Sequence, residues 1–413
     1  MSWFEIVALL LVSTAGFGWL NRRWFGLPNA VAFVASGLAL SGAVALEEWL
    51  WPGSGLHDVV GGAVRQIDFS AVVMNGMLAF LLFAGAFDLD LGRLRARAGP
   101  VFALAAIGSA LSAVLVGGAL WWVADWLGAA IPLVWCLLFG ALISPTDPVA
   151  VISILRGVEV PEKIEIELQG EALFNDGAAV FLVTLLLGAL AGGETPRGWD
   201  EVVLVGLREV GGGIAIGLAT GFVAYRAIHA IDDFRIEVLI TLALVSGTNV
   251  LAQRLEASGP LAVVTAGLLV GDRGPRFAMS DRSQRIVSGL WRLIDEVLNA
   301  VLFLLIGLEV LVLRFADIDL RFVLAAIPIV LVSRLIAVAA PALVTPWSRA
   351  LSLGNVPLLT WAGIRGGVSI ALALALPDAP AKPAVLGATY AVVIFSILVQ
   401  GLTLGAVARR YAK

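Results

Sequence analysis

Two aspartates interrupt apolar runs of this chain: Asp147 within Ser144-Pro145-Thr146-Asp147-Pro148, and Asp176 within Glu171-Ala172-Leu173-Phe174-Asn175-Asp176-Gly177. A carboxylate is both a base and a hard oxygen ligand, so each can hold a proton or a monovalent cation but not both together. Competition of that kind at one site is the physical basis of exchanging one ion for the other. Within hydrocarbon an ionisable group costs at least ~2.5–3.5 kcal/mol, so one retained there points to function before packing. Three more charges share this setting: Arg365 in Gly363-Ile364-Arg365-Gly366-Gly367, Glu171, and Arg334 in Val332-Ser333-Arg334-Leu335.

The elements that carry these residues are irregular in matching ways. The fifth apolar segment breaks at Pro145-Thr146-Asp147-Pro148, where two prolines remove backbone donors and clash with the preceding turn. In a bilayer such a break survives only where it is buried in protein or lines a water-filled cavity. The twelfth segment carries a second break, at the glycines around Arg365. The two lie an odd number of spans apart and so run in opposite directions. That is the arrangement of inverted repeats whose broken helices cross near the membrane midplane.

Helical geometry sorts the sixth segment. Glu171 and Asn175 are i,i+4 and share a face, whereas Asp176 shares its face with Ala172, roughly 140° from Glu171 at about 100° per residue. Asp176 can then face the broken helices while Glu171 pairs with Arg334, a structural ion pair being the leading reading for those two. Asp147 and Asp176 could alternatively cap helices. Arg365 could neutralise helix ends and carboxylates, or also tune the affinity of the site. Thr146 reads as a cap or a ligand, and Asn175 as an interhelical hydrogen-bond residue or a ligand. Glu309 is expected near a membrane face, satisfied by snorkelling or a local pair, and Asp88 and Asp90 are expected at an interface.

The 413 residues are 60% hydrophobic and 14% charged, the composition of an all-α polytopic membrane protein. With about twenty residues per span, thirteen transmembrane helices are predicted near 3–20, 27–46, 67–87, 99–123, 131–153, 168–191, 203–225, 236–253, 258–271, 291–313, 321–344, 355–376 and 384–408. The first is read as a span rather than a cleaved leader, because Glu5 stands where a leader is basic. Of the 27 Lys and Arg residues, this topology puts 18 in one set of loops, seven in the other and two, Arg334 and Arg365, in mid-span. Basic loops face the cytoplasm, so the N-terminus is predicted outside and the C-terminus inside, in a cell inner (plasma) membrane. The longest loops, near 47–66 and 272–290, are too short for a soluble domain, so function must lie within the membrane. A net charge of −4 without a basic surface excludes nucleic acid as a partner. The one cysteine, Cys136, reads as a buried small hydrophobe, and His57 and His229 do not have metal-ligand spacing, so no cofactor and no catalytic metal is expected.

At these residues the chain resembles the monovalent cation/proton antiporters of the bacterial NhaP type, relatives of the animal sodium/proton exchangers. The resemblance runs over essentially the whole chain: Thr146-Asp147-Pro148-Val149, the Gly170-Glu171 to Asn175-Asp176 block, Asn299 through Glu309, Ser333-Arg334, and Trp361 through Gly367. It implies a sodium/proton antiporter-like fold and a homodimer. Within the single unit 1–413 it implies a core (transport) domain over 99–191 and 321–408 and a dimerisation domain over 1–90 and 203–313. It also implies electroneutral exchange, associated with an Asn-Asp pair. Carried over by position, Asp176 is the shared proton and cation site, and Asp147 and Thr146 are cation ligands or their support. Asn175 contributes by backbone or side chain, Glu171 and Arg334 form a stabilising pair, and Arg365 modulates the site. Two positions depart from the pattern: Ala172 where some members have Ser, and Ala84 where some have Glu. Both remove oxygen donors, which bears on the choice among Na+, Li+ and K+.

The function expected is therefore secondary antiport of a monovalent cation, Na+ first, against H+ by alternating access, and not an enzymatic activity. A cation channel or proton-conducting subunit is the alternative, but the chain has no pore-loop repeat of backbone carbonyls. A membrane-embedded hydrolase with an aspartyl dyad fits less well, since one aspartate sits at a helix break and the other beside an Asn.

Overall fold

Proline and glycine decide where this chain stops being helical. The computed structural model describes residues 2–53, 55–155, 158, 160–190, 204–274, 278–312, 319–344 and 353–411, and among these there is helix and no strand. The spans in chain order are α1 (Phe4–Phe25), α2 (Asn29–Leu50), α3 (Phe69–Phe87), α4 (Ala98–Trp126), α5 in two pieces (Leu133–Leu142 and Pro148–Leu155), α6 (Glu162–Leu190), α7 (Leu204–His229), α8 (Phe234–Arg254), α9 (Gly259–Arg273), α10 (Asp281–Glu309), α11 (Leu320–Val344), α12 in two pieces (Val356–Trp361 and Gly367–Leu374) and α13 (Lys382–Tyr411). Among the described residues nine helices are long and apolar enough to cross a membrane uninterrupted. The other four segments are the broken α5 and α12, the 15-residue α9, and α10, whose first turns are charged.

The predicted span near 258–271 is present as α9, begun by a Ser258 cap and a proline in its first turn. The two stretches read as long loops contain helix. Leu56–Gln66 is a short amphipathic helix, and α10 starts ten residues before the predicted 291. Asp281, Arg282 and Arg285 made that stretch look like loop, but Ser283, Val287 and Trp291 recur every four residues and are buried. Trp291 packs against Phe83 of α3 with ring centroids 4.5 Å apart and planes tilted by 51°, and its indole N–H donates to the Thr241 hydroxyl at 3.2 Å. Arg156, Arg197, Arg276, Arg314, Arg349 and Lys413, all counted in the charge bias, lie outside the described residues.

Small residues let the helices approach closely, as lipid-embedded packing requires. A Cβ at Gly37 of α2 would lie 2.6 Å from the Leu304 carbonyl of α10, and one at Gly307 would lie 2.6 Å from the Val34 carbonyl. Gly213, Gly217 and Gly221 line the face of α7 that meets α9. Single π-helical turns interrupt α3 (Val72–Met77), α4 (Ala103–Gly108), α7 (Leu207–Gly211) and α13 (Ser396–Gln400). Such turns are often found at functional sites, and the one in α13 directly supports the site below.

Candidate functional site

The breaks in α5 and α12 meet. Residues 143–147 and 362–366 leave the helical conformation, and the Asp147 amide donates to the Ile364 carbonyl at 2.8 Å. The Asp147 carboxylate turns onto its own following helix, where Oδ1 accepts from the Val149 and Ala150 amides at 2.9 and 3.0 Å. It therefore caps the second half of α5, whose first amides have no intrahelical partner. The Arg365 guanidinium reaches back the other way, donating through Nη1 to the carbonyls of Ser144 and, at 3.0 Å, Pro145. Carboxylate at a helix start and cation at a helix end both complement the dipoles of the broken segments. The Arg365 amide donates to Ser396 Oγ at 2.6 Å, and Gln400, one turn on, donates to the Trp361 carbonyl at 3.2 Å. The π-helical turn of α13 thus holds the break in α12.

Each glycine around Arg365 makes room for a residue of another helix. A Cβ on Gly363 would lie 2.9 Å from Arg334 Nε, one on Gly366 would lie 2.6 Å from Asp147 Oδ2, and one on Gly367 would press into Leu302. Gly366 has φ −122° and ψ −164°, a backbone open to any residue, so it is space and not conformation that selects glycine there.

Asp176 comes from α6 and is 6% exposed. With Asp147 and Thr146 it lines a cavity of about 70 Å³ walled by Leu78, Leu82 and Leu302 and by the glycines of the crossing. Among the described residues no Lys or Arg lines this cavity. A single water needs ~10–15 Å³, so the space is large enough for a cation and several waters. The neighbours of Asp176 on α6 meet different partners. Asn175 is fully buried beside the cavity, and its Nδ2 donates to Thr146 Oγ1 at 2.9 Å, fixing the hydroxyl that lines it. Glu171 and Arg334, both buried, form a bidentate pair, Arg334 Nη2 donating to Glu171 Oε2 at 2.8 Å and Nη1 to Oε1. Arg365 is also fully enclosed and shares a small pocket with Arg334, not the cavity of the aspartates.

Sequence reasoning singled out Asn299 only as part of a motif, yet its side chain lines the cavity from α10 and donates from Nδ2 to Asp295 Oδ1 at 3.0 Å. An amide in mid-span was the signal available for it. Glu309 differs from expectation. It is 9% exposed, and its Oε2 has no hydrogen-bond partner among the described residues, so it does not snorkel to a surface. Asp90 caps a short helix through the Arg93 amide at 3.0 Å, and Asp88 pairs with Arg292 at 3.1 Å, as interfacial carboxylates would. Of the two missing oxygens, Ala84 packs in an apolar cluster with Phe83 and Val263, and Ala172 is buried; neither lines the cavity.

Comparison with known proteins agrees with this geometry. Residues 7–410 match the family described as sodium/hydrogen exchanger, transmembrane. The chain is 41% identical over 411 residues to the Na(+)/H(+) antiporter NhaP of Pseudomonas aeruginosa, covering 98% of this chain and 96% of that protein. It is 35% identical over 387 residues to the Na(+)/H(+) antiporter NhaH of Halobacillus aidingensis, covering 93% and 92%. Its fold superposes on the sodium proton antiporter MjNhaP1 of Methanocaldococcus jannaschii at pH 8 with a TM-score of 0.70 at 19% identity, over 93% of this chain and 98% of that one. An all-helical multi-pass chain with two crossing broken helices, matched almost from end to end by one family, belongs to the sodium/hydrogen exchangers.

Proposed function

We propose that this chain is a secondary antiporter that exchanges a monovalent cation, Na+ before Li+ or K+, for H+ at the cavity of Asp147 and Asp176. The observation that carries the proposal is the convergence of two carboxylates and the Thr146 hydroxyl on one small cavity with no cationic side chain in its lining among the described residues. Hard oxygen ligands in a low-dielectric, net acidic space favour a cation, and a proton on the same carboxylate removes the charge that holds it. Asp176 carries the exchanged ion. Asp147, tied to two amides, shapes the site and adds a ligand, and Asn175 orients Thr146. Glu171 and Arg334 hold α6 against α11, and Arg365 neutralises the carbonyl end of the first half of α5.

The core, 99–191 and 321–408, moves against the remainder, 1–90 and 203–313, to present the cavity to each side in turn. The exchange is electroneutral and needs no cofactor beyond the transported ions. The protein works as a homodimer in the cell inner membrane, with its N-terminus outside and its C-terminus in the cytoplasm. The basic bias of the loops supports the orientation. The apolar side chains exposed on α1 and α7, such as Phe4, Trp19, Leu218 and Phe222, suit lipid or a partner copy.

The test is proton flux in proteoliposomes under an imposed pH gradient, with Na+, Li+ or K+ added in turn, with and without a potential clamp. Wild-type protein should couple the two gradients independently of potential, and Asp176→Asn should abolish coupling. Cation-dependent proton flux that survives Asp176→Asn would sink the assignment.

A further inference from the structure

A second cavity opens toward the face of the bundle on which α1 begins. It measures about 270 Å³ and lies where α3, α7 and α9 start and α6 and α8 finish. Its wall is largely apolar, with polar groups set into it: Glu209 from α7, Asn249 and Gln253 from α8, Thr184 from α6, Asn75 from α3, and Glu256 just past the end of α8. Two of these groups stand out. Asn249 is only 8% exposed, yet among the described residues its amide has no hydrogen-bond partner. The amide oxygen lies over Gly259, whose lack of a side chain leaves the space it occupies. Glu209 is half-buried, and no cationic side chain pairs with it among the described residues, since the neighbouring Arg208 is bound to Glu256 at 2.6 Å. Both groups face the open cavity, where water or an ion can take the place of a protein partner. Together an amide oxygen and a carboxylate are ligands for a cation.

The cavity also borders the site already described. Leu78 of α3 lines both, and it is buried between them. Two of the helices that line the outer cavity, α3 over Val72–Met77 and α7 over Leu207–Gly211, are π-helical there. The volumes rank the two spaces, about 270 Å³ against about 70 Å³, so a cation keeps more of its water in the outer one.

We propose that the outer cavity is a second cation site, in which Glu209 and Asn249 hold a partly hydrated monovalent cation. Leu78 is the partition the cation must pass, shedding water, to reach Asp147 and Asp176. The proposal rests on those aspartates being the exchange site. Its electrostatic content is local enrichment: a carboxylate at the mouth of a low-dielectric cleft concentrates counter-ions, an effect that weakens as salt rises.

The experiment compares the two faces, using right-side-out and inside-out membrane vesicles with Na+ as the probe. Glu209→Gln should raise the half-saturating Na+ concentration by about threefold to tenfold at the face that carries Glu209, most at low ionic strength, and leave the other face unchanged. Glu209→Asp, which keeps the charge, should restore most of the loss. Asn249→Ala should act at the same face. An unmoved half-saturation at that face, or an equal shift at both, overturns the outer site. So does a shift seen only in vesicles containing primary-amine lipids, which would give the cavity to a headgroup. Failure of the exchange-site reading is separable, because it appears as flux retained in Asp176→Asn whatever Glu209→Gln does.

Discussion

Gly366→Ala puts one methyl group into the crossing of the broken helices. Its Cβ would lie 2.6 Å from Asp147 Oδ2 and 2.9 Å from Asp147 Cβ, distances that real Cβ atoms do not tolerate. The Gly366 backbone itself can accept alanine, so Asp147 must yield. That carboxylate is fixed by two amides at 2.9 and 3.0 Å, and its own amide is held by Ile364 at 2.8 Å, so moving it loosens at least one bond. A hydrogen bond to a charged group contributes about 1.5–3 kcal/mol. Losing one should weaken cation binding by about tenfold to a hundredfold at ~1.4 kcal/mol per decade. The assay is the half-saturating Na+ concentration for proton release in proteoliposomes, with thermal stability in detergent followed in parallel. Gly85→Ala is the matched control, because it lies on the same cavity but its Cβ would meet nothing nearer than Leu173 at 3.8 Å. A Gly366→Ala protein whose half-saturation stays within about twofold of the parent, below ~0.5 kcal/mol, refutes the reasoning.

Two further outcomes concern stability. Arg334→Leu or Glu171→Leu alone leaves an uncompensated charge among buried groups and should cost ~3–5 kcal/mol in unfolding experiments, while the double variant should cost clearly less than the sum. If the two single changes add within ~0.5 kcal/mol, the pair is not coupled. Gly307→Ala drives a methyl into the backbone of α2 at Val34 and should cost ~1–3 kcal/mol, whereas Gly42→Ala, which meets open space, should cost nothing measurable by thermal unfolding. Equal melting of those two variants would remove the close α2 to α10 approach as a source of stability.

Much of the site could be read in the chain because the bilayer forbids what these residues do. A proline pair and a glycine-flanked arginine in mid-span break rules that ordinary spans obey, and Glu171 and Arg334 each needed a counter-charge of the other's kind. Period set Asp176 apart from Glu171, but Asn175, read onto the Glu171 face, also reaches the break in α5 through Thr146. What stayed hidden needed a second helix. The reason for glycine at 363, 366 and 367 lies in Arg334, Asp147 and Leu302, residues far away in sequence. Asn299 enters the site only because α10 packs beside the crossing, and the start of α10 was masked by charges on its outward face. Interfacial amphipathic turns have the composition of loops, and only their four-residue spacing distinguishes them.

The crossing treats its two helix starts differently, and the difference bears on how the site tolerates being empty. The second half of α5 is capped by Asp147, but the second half of α12 begins at Gly366 with no side-chain cap. Gly366, Gly367 and Val368 line the cavity, so this helix start, carrying roughly half a positive charge, borders the space Asp176 lines. On the far side Arg365 is engaged with carbonyls and does not line the cavity. An ionised Asp176 without a cation would therefore be offset by a diffuse backbone dipole and not by a guanidinium. A full cation in the lining would compete with Na+ for the carboxylate, whereas a dipole spread over several amides eases the empty state and still leaves the site net acidic. The proposed exchange at a single buried aspartate requires that intermediate strength, since the site must release each ion as well as hold it.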